Sequence, residues 1–154
     1  MKLLVVVGEA DAEALVAVDQ LSLTHDVTVV ATRPFDAPEG VRVERSERAA
    51  GALEFLHAHG REYDAVLFYG SADETCAAGV AIVPERAALI PAVRDASTLE
   101  RRTAPALFQL PRAVGFESAA EESLVRAKFR NGRVPGERLD EEGGLDRLLA
   151  LVTA

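Results

Sequence analysis

A single cysteine, Cys76, stands in the whole chain. It can form no intrachain disulfide and no cysteine-based metal site, and the expected setting is the cytoplasm. No apolar run approaches the ~20 residues that a bilayer-spanning helix needs, so no membrane span is expected. The opening run, MKLLVVVGEADAE, has one Lys and turns acidic after a few apolar residues. A signal peptide would need a longer apolar region and a small-residue cleavage site, so this run reads as a first strand. Basic residues are in the minority: 17 Lys and Arg stand against 25 Asp and Glu, for a net charge of −8. That balance repels phosphates and excludes nucleic acid and anionic membrane surfaces as partners.

Other absences bear on chemistry. A dinucleotide site would show G-x-G-x-x-G after the first strand, but this chain shows GEADAE. Its carboxylates would repel a pyrophosphate, and the missing glycines would block close backbone approach. The chain has no P-loop and no G-x-S-x-G elbow. It has three histidines. His57 and His59 are two apart, about 200° around a helix, and cannot converge on one metal. His25 precedes the second strand, at the far end of the sheet. No metal and no cofactor is expected, and no catalytic residue is legible.

What is present is an alternation. Apolar runs at Lys2–Val7, Val27–Ala31, Val41–Val43, Asp64–Tyr69, Ala87–Ala92 and Ala113–Phe116 read as six strands. Their near-continuous apolar character suits strands covered on both faces. Between them lie helical patterns at Ala10–Leu21, Glu47–His59, 71–80, a segment from Ser97 interrupted by Pro105, and one from Ser118 carrying Leu124, Val125 and Phe129. Gly60 reads as a C-cap, Ser118 and Glu121 as a capping box, and Asn131–Gly136 as a turn. Leu145, Leu148, Leu149 and Val152 give a terminal helix over 142–153 one apolar face.

A length of 154 residues with this pattern predicts one α/β domain over 1–154. It is a three-layer Rossmann-like fold with a mostly parallel sheet of about six strands, helices on both faces, and strand order 3-2-1-4-5-6. Ligands in such sheets sit beyond the carboxyl ends of the strands. That rim collects Gly8 and Glu9, Gly70 and Ser71, Arg94 and Asp95, and Glu117 and Ser118, which are the candidate ligand-binding residues. Each of the serines Ser71, Ser97 and Ser118 follows a strand and reads as a helix cap, since no histidine is placed to activate one.

Taken in order, DAVLFYG, VPERAALIPAVRDAS and FQLPRAVGFESAAEESLVRAKF resemble the N-terminal half of bacterial retaining glycosyltransferases of the two-domain GT-B type. In that family a D-L-V-L-F strand leads to P-x-R-x-(apolar)-P-x-x-H-D and later to A-x-x-F-x-T-x-E-E-x-x-L-V. Pro84, Arg86, Pro91, Asp95, Phe116, Ser118, Glu121, Glu122, Leu124 and Val125 fall on that pattern. HDVTVVATRP, residues 25 to 34, is similar to the family's second strand, and the resemblance is strongest over 25–130.

The resemblance implies an acceptor-side domain, with a sugar or glycan acceptor and a second domain or a homodimer mate as partners. Three departures qualify it. GEADAE replaces a glycine-rich loop, and Arg94 stands where the family has histidine. The third concerns the nucleotide-sugar-binding domain and its E-x(7)-E motif. The one such spacing here, Glu54 to Glu62, crosses a helix and a turn. The expectation is therefore a domain not competent for transfer alone, with Arg94 and Asp95 as acceptor contacts. The alternative is a non-catalytic small-molecule-binding or homodimeric assembly module.

Overall fold

Seven strands form one all-parallel sheet in the order β3-β2-β1-β4-β5-β6-β7. They are β1 (Lys2–Val7), β2 (Asp26–Ala31), β3 (Arg42–Arg45), β4 (Ala65–Tyr69), β5 (Ala87–Ile90), β6 (Ala113–Phe116) and β7 (Gly136–Arg138). The computed structural model describes residues 1–71 and 73–154. Central strands β4, β5 and β6 are buried at every position. Only apolar side chains tolerate that environment on both faces, hence the unbroken AVLFY and AALI. The edges are polar: β3 is RVER and β7 is GER.

The helices are α1 (Asp11–Leu21), α2 (Ala49–His59), α3 (Glu74–Ile82), the short α4 (Ala104–Leu107), α5 (Ala119–Phe129) and α6 (Gly144–Thr153). Helices α1 and α6 pack on one face, together with Leu3, Val5, Leu67, Tyr69 and Ile90 of the strands. Helices α2, α3, α4 and α5 pack on the other, against Leu4, Val6, Phe68, Leu89 and Phe116. The division follows from right-handed crossovers, which place helices on opposite faces as the chain winds outward from β1 and β4. Two helices thus cover what four cover behind them.

Helix α6 buries Leu145, Leu148, Leu149 and Val152. Each burial contributes about 2 kcal/mol before entropy is counted. Its carboxyl end is held by Arg112, whose guanidinium donates to the carbonyls of Leu151 at 3.2 Å and Ala154 at 2.6 Å. Those carbonyls have no partner within the helix.

The order and parallel sense match the sequence reading, with four local differences. The first is β7, which pairs with β6 from Val114↔Gly136 to Phe116↔Arg138 where a turn was expected to end. Second, the segment from Ser97 is not one kinked helix. A 3-10 turn spans Ala96–Glu100 and α4 follows separately, with Pro105 in its first turn. Pro105 is tolerated there because the first-turn N–H groups need no helical acceptor. Third, strand β5 ends at Ile90 and β3 runs Arg42–Arg45. Fourth, the helix expected within 71–80 is α3, and position 72 of that span lies outside the described residues.

Candidate functional site at the carboxyl rim

Strands β1 and β4 are neighbours whose crossovers run in opposite directions, so the chain splays apart above them. Gly8 and Gly70 stand at this point. The Gly8 N–H donates to the Tyr69 carbonyl at 2.9 Å, and the Gly70 N–H donates to Ile90 at 3.0 Å. A side chain at either glycine would overlap the carboxylate of Asp73. That carboxylate therefore lies against the ends of both strands. Its Oδ1 accepts from Cys76 N–H at 2.9 Å and caps α3, and its Oδ2 faces the N–H of Glu9 at 3.4 Å. The carboxylate of Glu9 in turn accepts from the N–H of Ser71 at 3.0 Å.

The neighbouring gap repeats the device. Pro91 and Ala92 follow β5, and Ala92 takes the left-handed region at φ +46°. That turn aims the Val93 N–H at α5, where it donates to Glu121 Oε2 at 2.8 Å. The N–H of Glu117 donates to Glu121 Oε1 at 3.1 Å. Ser118 Oγ accepts from the Glu121 N–H at 3.1 Å. Glu121 is buried, 7% exposed, and ties two strand ends and a helix together.

Half of the expected capping box is therefore present. The other half is redirected, because the Glu121 carboxylate reaches past Ser118 to Glu117 and across to Val93. Among the three serines read as caps, only Ser118 acts so. Asp73 caps α3 in place of Ser71, and Asp95 caps the 3-10 turn by accepting from the Ser97 N–H at 3.0 Å.

Arg94 and Asp95 point apart. Arg94 pairs with Glu13 of α1. Asp95 is used locally, since its carbonyl also accepts from Thr98 Oγ1 at 2.8 Å. Hydrogen bonding to Ser97 holds the Asp95 carboxyl below its usual range. Each thus has its own partner within the fold, Glu13 for Arg94 and Ser97 for Asp95. Arg94 belongs with Glu13 and Glu117, whose carboxyl it favours in the charged form.

Two hollows flank Glu117. One, of about 470 Å³, is lined by Val93, Glu117, Ser118, Glu121 and Leu124. The other, of about 320 Å³, lies on the sparsely covered face, between α1 and the chain after β7, with Tyr69 at its floor and Glu13 and Glu117 beside it. Burial raises the Glu117 carboxyl above the usual range, and the charges of Glu13 and Glu121 add to this. Burial also raises Glu121, partly offset by its two backbone donors. Burial pushes the Tyr69 phenol up strongly, with Glu117 and Glu13 reinforcing it. Burial, followed by the Asp73 charge, raises the Cys76 thiol well above its ordinary value and keeps it an inert thiol. Among the described residues, no group of three or more His, Cys, Asp or Glu is placed to hold a metal ion.

A pH dependence follows. Glu117 and Glu121 bind protons more tightly folded than unfolded. Their contribution to stability is therefore fully present below the unfolded carboxylate value and is lost as pH rises through their raised folded values. Asp95, Glu62 and Asp140 are lowered, so their contribution is present above the unfolded value and lost as pH falls through the folded one. The melting temperature should rise as pH is lowered from neutrality toward the usual carboxylate range, and fall again once pH drops below that range. Replacing Glu117 by Gln should flatten the first limb and leave the second. A scan in which both limbs survive unchanged would contradict this assignment.

The rim positions themselves were legible from strand order. Asp73, Glu13 and Tyr69 were not recognised as site residues. The acidic run GEADAE was a signal for Glu13, and an Asp three residues before Cys76 was a signal for a cap. The depth of Tyr69 needed the placement of α6. Compared with protein-family models and with curated proteins, the chain matches none of them.

Proposed function

We propose that this domain is a binding module on the acceptor-side plan of GT-B glycosyltransferases, holding a neutral, hydroxyl-rich molecule such as a sugar or glycan end at its carboxyl rim. By itself it transfers nothing. One observation carries the reading: the rim amides of Glu9, Ser71, Val93 and Glu117 are all directed at the chain's own carboxylates. A diphosphate would have to displace those carboxylates against a negative field, which costs both the hydrogen bonds and the repulsion.

What the larger hollow offers instead is one carboxylate acceptor and one hydroxyl donor. Glu117 presents a carboxylate, and the Ser118 hydroxyl keeps its proton free to donate while its oxygen holds the Glu121 N–H. Sugar hydroxyls suit such a set, and exposed Leu124 supplies an apolar wall for a ring face. The resemblance through Phe116, Ser118, Glu121, Glu122, Leu124 and Val125 supports the same rim.

The test is ligand-observed NMR with neutral mono- and disaccharides, alongside thermal shift with UDP- and GDP-sugars. Saccharide contact should be seen, and should vanish in Leu124→Glu. The nucleotide sugars should move the melting temperature by less than ~1 °C. A shift of several degrees, or turnover of a donor by the purified domain, would overturn the reading.

A further inference from the structure

The second hollow does not depend on the rim reading. It opens on the face that carries two helices, α1 and α6, over the end of β4. Its apolar walls are Val16 and Ala17 from α1 and Leu139 and Leu145 from the other side, with the exposed amide of Gln20 at its edge. Val16 is 69% exposed, although it faces an apolar concavity. The volume of about 320 Å³ lies at the small end of the range for small-molecule sites, roughly 300–1,000 Å³.

One polar atom in it is buried without a donor, and two further polar groups have no hydrogen-bond or ion-pair partner among the described residues. The Tyr69 side chain is buried, 2% exposed, and its hydroxyl has no hydrogen-bond partner among the described residues. Glu13 spends one oxygen on Arg94, while its Oε2 is buried with no donor. Glu117 has no cation within ion-pair distance among the described residues, and it lies close enough to Glu13 and Glu121 to be repelled by both. Asp140, also in the lining, is already taken by a two-pronged pair with Arg138 at 2.8 and 2.6 Å. Of the Glu13 and Glu117 carboxylates, only that of Glu13 has an ion-pair partner among the described residues, Arg94. A buried carboxylate oxygen without a donor is costly, and a desolvated excess of negative charge more so. The missing component is a cation that carries several N–H donors.

We infer that this hollow binds a small primary amine with an apolar body. Its ammonium lies between Glu13 and Glu117 and within reach of the Tyr69 hydroxyl, and its hydrocarbon part lies on Val16, Leu139 and Leu145. An ammonium brings three donors, which matches the three waiting acceptors. A guanidinium is wider and flat, and the space beside Glu13 is already occupied by Arg94. An anion is repelled, and a neutral alcohol leaves the carboxylates unpaired.

The probe is phenethylamine, with phenethyl alcohol and 3-phenylpropanoate as matched controls, read by NMR of the tyrosine rings. The chain has two tyrosines. Tyr63 sits in the opposite core and reports folding, while Tyr69 reports the hollow. The amine should shift Tyr69 and not Tyr63, and should bind at least tenfold more tightly than the alcohol. Glu117→Gln should weaken it at least tenfold. Val16→Lys, at an exposed position that folding does not need, should place the chain's own ammonium in the hollow and abolish binding. Equal binding of amine and alcohol would overturn the proposal, as would undiminished affinity in Val16→Lys with Tyr63 unchanged. Leu124→Glu, which fills the other hollow, should leave amine binding intact, so the two readings fail separately.

Discussion

Replacing Glu121 by alanine is expected to cost the fold about 3 kcal/mol. The substitution removes no apolar packing of consequence, since the side chain's work is done by its two oxygens. Without them the N–H groups of Val93 and Glu117 lose their acceptors at 2.8 and 3.1 Å. An unsatisfied buried donor costs about 1–3 kcal/mol. Against that loss stands a refund, because burial raises the Glu121 carboxyl and the charge was never fully compensated. The net stays destabilising because two donors are orphaned and one charge is removed.

Glutamine should recover only part of the loss. Its carbonyl can serve one amide, but its NH₂ then meets the other donor face to face. Urea denaturation checks this: the midpoint should fall with the slope unchanged. A loss below ~1 kcal/mol would mean that water takes over both amides and that Glu121 is no structural tie.

The second large effect lies at the other gap. Gly70→Ala should destabilise by about 3 kcal/mol. Gly70 holds φ at +142°, a region that side chains rarely enter, and a Cβ there would overlap Asp73 Oδ2 and approach Glu9 N to 3.1 Å. To make room, the Asp73 carboxylate must move and give up both Cys76 and Glu9. Part of the cost is therefore Asp73's and part is the backbone's. In an Asp73→Ala background the same change should be milder by about 1 kcal/mol or more, a coupling expected of side chains in contact. Strict additivity in the double variant would show that the glycine is needed for its dihedral alone.

Much of this fold can be read from residue pattern, and the reasons differ by element. AVLFY and AALI announce themselves because a strand buried on both faces has no room for polarity. Strand β7 is silent because GER, at a half-buried edge, has the composition of a turn, and only its hydrogen bonds to β6 make it a strand. The caps were ambiguous for a local reason. Ser71 and Asp73 both stand before α3, and Asp95 and Ser97 flank the first residue of the 3-10 turn, and either side chain type caps well. Local sequence cannot tell which one the backbone will aim.

The site divides the same way. Strand order alone puts Gly8, Glu9, Gly70, Ser71, Arg94, Asp95, Glu117 and Ser118 near one rim, whereas their pairings are long-range. Arg94 chooses Glu13, 81 positions earlier, over its neighbour Asp95. Glu121 reaches back to Val93, 28 positions earlier. No spacing rule encodes such contacts. They depend on where a loop such as Pro91–Ala92 turns, and Ala92 adopts its left-handed φ without being glycine.

The carboxylates of Glu9, Asp73 and Glu121 behave as tethered counter-ligands: each accepts from backbone amides at the rim. The rim amides of Glu9, Ser71, Val93 and Glu117 are thus occupied from within the chain. An internal competitor held at very high effective concentration therefore adds to the missing glycines as a barrier to phosphate. Anion recognition from this starting point would first take the loss of these acids, before any added base could act against a net charge of −8.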